Sequence, residues 1–253
     1  MTAEGVVPAV RRSLGQVGAF LPESPSDPTP AEVQRQACRR LEALGYRSAW
    51  TNELIGKDSF AQLAVLLAAT ERMVFGTCIA NIWARPAQTA HGAAIVLSEA
   101  YPGRLILGLG VGYPQQADTV GKEFGRPVDT MRDYLATMDA AAPETPALYA
   151  RILGANRPRM LDLAARMTDG ALPAGSTPTD TAATRTVLGP DKLVVVYLDV
   201  STSQGTTDQV TATIQAHLAA GADHVIAGAA FGTTFRASTT RLEELAPALA
   251  ALL

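Results

Sequence analysis

Short apolar runs alternate with amphipathic helical stretches along the chain, and that beat restricts the fold more than any other feature of the sequence. Strands are expected at 17–21, 48–52, 74–80 and 105–109, then at 151–153, 171–172, 193–200 and 224–227. The run at 193–200 is the clearest, because it is rich in β-branched residues. Helices are expected at 30–44, 59–70, 88–100 and 130–141, and again at 159–167, 179–188, 207–220 and 242–252. The first of these has Pro30 in its opening turn and Gly45 just beyond its end, the usual asymmetry of a helix. Eight such alternations with apolar strands imply a parallel (β/α)8 TIM barrel of the α/β class. A doubly wound open sheet is the alternative, since six of these strands would build one.

A chain of 253 residues with 47% hydrophobic content buries one substantial core, and residues 1–253 are read as a single barrel domain. The formal charge of −3, with basic residues scattered, leaves no electrostatic footprint for nucleic acid. Cys38 and Cys78 have neither disulfide nor metal-ligand spacing, so no metal is expected. No apolar run reaches membrane-spanning length or forms a signal peptide, which predicts a soluble, cytoplasmic protein. Pro143 and Pro146 are read as bounding a joint between half-barrels, and 229–240 as a mobile loop after the last strand.

Barrel enzymes carry their sites at the C-terminal strand ends. That rule selects Glu23, then Asn52 and Glu53, then Asn81, Trp83 and Arg85. In later loops it selects 110–113, 154–157, 174–175, 199–201 and Gly228. The set is rich in glycine, amide and aromatic groups. It holds no legible carboxylate couple and no Ser/His/Asp order. His91 and His217 fall inside expected helices, and His224 begins the last strand, at the end away from the site. Polar anchors with few proton carriers suit a bound cofactor that performs the reaction itself.

Two segments bear on such a cofactor. In Y-P-G-R-L-I-L-G-L-G-V-G-Y at 101–113, a buried strand opens into a loop where Gly108, Gly110 and Gly112 alternate. Unobstructed backbone there suits a phosphate or a flat ring, and a tight turn at a crowded barrel rim has the same signature. In 154–159, Gly154, Asn156, Arg157 and Arg159 surround a helix start, which is either an anion site or an ordinary solvated helix end.

Several motifs together resemble the luciferase-like monooxygenase superfamily of flavin and deazaflavin oxidoreductases. Within it, they resemble the actinobacterial branch that uses the deazaflavin coenzyme F-420. The motifs are G-A-F-L-P-E at 18–23, L-G-Y-R-S-A-W-T-N-E at 44–53, V-F-G-T-C-I-A-N-I-W-A-R-P at 74–86 and the glycine segment at 101–113. E-F-G-R-P at 123–127, M-R-D-Y-L at 131–135 and G-A-D-H-V at 221–225 extend the likeness over nearly the whole chain. The resemblance implies a non-proline cis peptide at Cys78–Ile79 against the back of the ring, which makes Cys78 a backbone wedge rather than a reactive thiol. It implies a cofactor site of Glu53, Cys78, Ile79, Asn81, Gly110, Val111 and Gly112, completed by Gly154, Asn156 and Arg157. It puts Ile82 and Trp83 in the substrate pocket.

Two departures from the family pattern stand out. Relatives that oxidise a sugar phosphate carry His and Glu where this chain has Leu54 and Tyr113. That argues against that reaction and leaves Tyr113 as the proton donor near the ring. The family's long helical insertion between strands seven and eight, which covers the cofactor and often builds a homodimer, is shortened here. The expected function is hydride transfer between F-420 and a small organic substrate. The alternatives are an FMN-dependent luciferase-like monooxygenase and a non-catalytic ligand-binding barrel.

Overall fold

A computed structural model describes residues 5–24, 28–141, 149–201, 204–230 and 232–253. The strands are β1 (Val17–Leu21), β2 (Ser48–Thr51), β3 (Val74–Thr77), β4 (Ala80–Asn81) and β5 (Leu105–Gly110). They continue as β6 (Ala150–Gly154), β7 (Gly170–Leu172), β8 (Leu193–Asp199) and β9 (His224–Gly228). All pair in parallel, and β1 joins β2 on one side and β9 on the other, which closes the sheet. β3 and β4 are two halves of one stave, since both lie against β5. The result is an eight-stave parallel barrel with helices between the staves, as the alternation predicts.

Side-chain alternation along each strand separates two cores. Ala19, Phe75, Leu107, Leu153, Val194 and Val225 belong to the layer packed under the helices. Phe20, Trp50, Ile106, Ile152, Leu193 and Val195 belong to the cluster inside the barrel. The outer layer is formed by α2 (Ala31–Ala43), α3 (Ser59–Leu67), α4 (Ala87–Ala100), α6 (Pro127–Ala140), α7 (Pro158–Met167), α8 (Pro178–Leu188) and α9 (Thr207–Ala219). α10 (Phe235–Leu249) completes it.

Three elements depart from the sequence expectation. α1 (Val6–Leu14) has no counterpart in it. Its Val10 and Leu14 join the inner cluster, and Arg11 donates from Nε to Asp223 Oδ1 (2.9 Å) and from Nη2 to the Lys192 carbonyl (2.7 Å). α1 therefore stoppers the N-terminal end of the barrel. The 113–127 loop contains a short helix, α5 (Pro114–Asp118).

The expected mobile loop at 229–240 is corrected over its second half, because α10 starts at Phe235. Thr234 caps it by accepting from the Ala237 N–H (3.2 Å). The small polar residues that read as loop are buried and satisfied: Ser238 donates to the Phe20 carbonyl (3.3 Å) and Thr239 to the Phe235 carbonyl (3.0 Å). Between β8 and β9, α9 is the one α-helix among the described residues. The proline-bounded joint at Pro143 and Pro146 lies outside the described residues.

Candidate functional site

The third stave is interrupted where the sequence places chemistry. β3 ends at Thr77, the Cys78–Ile79 peptide is cis, and pairing resumes in β4. The break is held from both sides: the Cys78 N–H donates to the Thr51 carbonyl (2.8 Å) and the Thr77 hydroxyl to the Gly108 carbonyl (2.7 Å). The alternating glycines of β5 exist to admit this segment. A Cβ on Gly108 would meet the Thr77 carbonyl oxygen at 2.0 Å, and one on Gly110 would meet Ile79 Cδ1 at 2.3 Å. Gly112 has a different reason, a left-handed φ of +62°. At Gly108 and Gly110 the glycine signal thus reports close packing of protein on protein.

Glu53, at the end of β2, fastens the far side of the break. Its buried carboxylate accepts from the Asn81 N–H (2.7 Å), the Ser59 hydroxyl (2.9 Å) and the Arg85 guanidinium. Arg85 also reaches Asp58 (3.0 Å) and lies over the Phe60 ring. Burial works against charge on Asp58, but the Ala61 N–H and Arg85 outweigh it and hold its carboxyl below the usual range. Glu53 reaches the site as a buried structural anchor whose oxygens are already occupied.

These elements border a cavity of about 940 Å³ at the C-terminal ends of the strands. Nine of the ten residues assigned to a cofactor line it: Glu53, Cys78 and Ile79 from the second and third staves; Gly110, Val111 and Gly112 from the fourth; and Gly154, Asn156 and Arg157 from the fifth. Tyr113 stands at its rim, 71% exposed. Burial pushes the Cys78 thiol up to about 12, so it stays protonated at neutral pH. Asn156 Oδ1 accepts from the Ala174 N–H (2.8 Å), which directs the start of α7 along the cavity edge. Arg157 and Arg159 are exposed there and make no ion pair among the described residues.

Three expected residues lie elsewhere. Asn81 and Trp83 line a second, smaller chamber of about 370 Å³, and Trp83 Nε1 donates to the Val111 carbonyl (2.8 Å). Ile82 lies buried in the layer under the helices and borders neither chamber. It was assigned to the pocket through the family resemblance, but in the turn after β4 its side chain packs into the layer under the helices instead.

Tyr197 was missed. Its hydroxyl donates to the Ala229 carbonyl (2.7 Å), burial raises its pKa, and its ring meets Phe20 edge-on at 5.1 Å on the cavity wall. Period-two reading of β8 would have found it, since Leu193, Val195 and Tyr197 share the inward face.

None of the three histidines borders either chamber. His224 is at the opposite barrel end, where its Nε2 accepts from Trp50 Nε1 (3.0 Å). Among the described residues, no helix is long and apolar enough to cross a membrane.

Comparison with known proteins adds kinship to this geometry. A 5,10-methylenetetrahydromethanopterin reductase of Methanolobus tindarius is 29% identical over 180 residues, covering 62% of this chain and 53% of the relative. A Mycobacterium tuberculosis protein described as a coenzyme F-420-dependent oxidoreductase is 28% identical over 178 residues, covering 57% of this chain and 51% of its own. The chain spans about half the length of these two relatives. The solved monooxygenase RslO1 of Streptomyces bottropensis has a TM-score of 0.75 at 14% identity, covering 93% of this chain and 99% of that one, a likeness of fold. The family model for luciferase-like monooxygenases matches residues 13–187, well over half of this sequence. With the closed parallel barrel and its interrupted third stave, the chain belongs to the luciferase-like monooxygenase family.

Proposed function

We propose that the protein is an F-420-dependent oxidoreductase that transfers a hydride between the deazaflavin and a small organic substrate. One observation carries the reading: the 940 Å³ cavity joins an apolar floor to two arginines, without ion-pair partners among the described residues, at the N-terminus of a ten-residue helix. A flat ring with an anionic tail fits both halves. Ile79, Val111 and Leu172 would bear on the ring, and the backbone of Gly110 and Gly112 would flank it. Asn156, Arg157 and the first N–H groups of α7 would hold the ribityl-phosphate side, where the helix dipole favours negative charge.

Bound there, a reduced deazaflavin supplies a hydride. The chain's own residues would orient the substrate, exclude water and deliver a proton. Tyr113 is the donor in this reading, with its hydroxyl at the rim giving a proton to the substrate atom that gains charge. Tyr197 is unsuited, because its hydroxyl is already committed to Ala229. Turnover of Tyr113→Phe should fall at least about tenfold with cofactor affinity unchanged. Full turnover of that variant across the pH range would remove Tyr113 from the mechanism.

The family's monooxygenase description supports a second reading, with FMN in the same cavity. Parallel fluorescence titrations with F-420 and FMN test both. Saturable binding of F-420 alone is the expected result. Preference for FMN would move the chemistry to oxygen, and binding of neither would leave a ligand-binding barrel without redox function.

A further inference from the structure

The smaller chamber shares Glu53, Leu54 and Gln116 with the larger one, so the two are neighbours across one wall. Its apolar surfaces come from Ile55 on the turn after β2, from Trp83, and from Val120 after α5. Ile55 is 66% exposed and Val120 47% exposed, and Tyr113 stands at the rim of the larger chamber. Three of the chain's exposed large hydrophobic residues thus gather around the two mouths rather than scattering over the surface.

Within the chamber one donor is unspent. Asn81 is only 6% exposed, and its Oδ1 accepts from the Trp83 N–H (2.9 Å), which fixes the orientation of the amide. Its Nδ2 has no hydrogen-bond partner among the described residues. A Cβ on Gly112 would lie 3.1 Å from that nitrogen, so the donor sits beside the glycine loop that borders the larger chamber. That nitrogen is not among the fully buried polar atoms left unpaired, so it opens onto the chamber and is available to an acceptor that displaces water there.

We propose that the smaller chamber is a substrate subsite for an apolar molecule bearing an oxygen acceptor, with that oxygen on Asn81 Nδ2 and the carbon body against Ile55, Trp83 and Val120. The reacting end would then extend past Gln116 towards the larger chamber. That last part rests on the larger chamber being the cofactor site; the subsite itself does not.

Three probes separate the possibilities: 4-phenylbutan-2-one, the matching alcohol 4-phenylbutan-2-ol, and butylbenzene, which has no oxygen. Each is titrated by calorimetry and by the fluorescence of Trp83. The ketone should bind saturably, and butylbenzene about tenfold more weakly for want of one hydrogen bond. Asn81→Asp keeps the acceptor for the Trp83 N–H but removes the donor. It should weaken the ketone about tenfold and the alcohol, which can donate, by less than about threefold. Val120→Trp, at an exposed position, should block all three by filling the chamber, and Ile55→Trp does so from the opposite wall if that variant folds poorly.

Absence of saturable ketone binding would overturn the proposal. So would equal affinity for ketone and butylbenzene, or ketone affinity unchanged in Asn81→Asp and both tryptophan variants. F-420 titrated into the same samples reads the larger chamber alone. Its failure to bind, with the ketone pattern intact, would remove the cofactor reading and leave the subsite standing.

Discussion

Gly110 shows how a residue can shape a cavity wall through the neighbouring side chain it makes room for. Its missing Cβ leaves room for the Ile79 side chain, which forms part of the cavity floor. Gly110→Ala should force Ile79 to another rotamer and cost about 1–3 kcal/mol of stability, as overpacking does. The same shift deforms the floor, so F-420 affinity should drop more than tenfold; chemical denaturation and cofactor titration on one preparation would check both. Glu53 is the complementary case, with its carboxylate consumed by Arg85, Ser59 and Asn81. Glu53→Gln would leave the Arg85 charge buried with only Asp58 as partner and should cost roughly 3 kcal/mol. An unfolding midpoint equal to that of the unaltered chain would sink that account. Glu53 and Arg85 were both legible in the sequence as positions, while their pairing was not, because it forms only when two staves close.

Among the elements, the strands were more readable than the helices at the chain's two ends. A β-branched run such as Leu193–Asp199 carries its own signal in period and composition. α10 carries the opposite signal, since Ser238 and Thr239 lie on its buried side and only the Phe20 carbonyl and the helix's own carbonyls make that tolerable. Its start depends on the Thr234 cap, so Thr234→Ala should lower stability by about 1 kcal/mol. That change should leave cofactor titration untouched, because Thr234 borders neither chamber. A loss of F-420 binding in this variant would mean that the loop before α10 reaches the site. α1 was invisible for another reason: a nine-residue amphipathic helix has meaning only once there is an open barrel end for Val10 and Leu14 to fill.

At the scale of the whole molecule, closure joins residues from the two ends of the sequence. His224 in the last stave accepts from Trp50 in the second, and its Nδ1 lies 2.8 Å from the Gly15 carbonyl. Burial pushes its pKa down to about 4, against an ordinary value of 6.5. Above about pH 6.5 the ring is neutral folded or unfolded, and the closure contributes fully. As pH falls below that, the unfolded chain binds a proton that the folded ring refuses until near pH 4. Stability should therefore decline across that window, by roughly 3 kcal/mol at its lower end, and then level off. Urea midpoints from pH 7 to pH 4 would measure the decline, and His224→Gln should flatten it; an equal slope in both proteins would assign the effect elsewhere.

The sequence by itself determined the strand–helix alternation and with it the closed parallel barrel, because both rest on local periodicity. The break at Cys78–Ile79 in the third stave was implied only by the family resemblance, since periodicity reads 74–80 as one strand. Only the tertiary structure decided that the glycines of β5 accommodate Thr77 and Ile79, that Asn81 and Trp83 face a separate chamber from Gly110, and that Ile82 faces neither. Those outcomes depend on which staves become neighbours and on the direction each side chain takes at the rim. Such relations arise between residues far apart in the chain and are set only when the barrel closes.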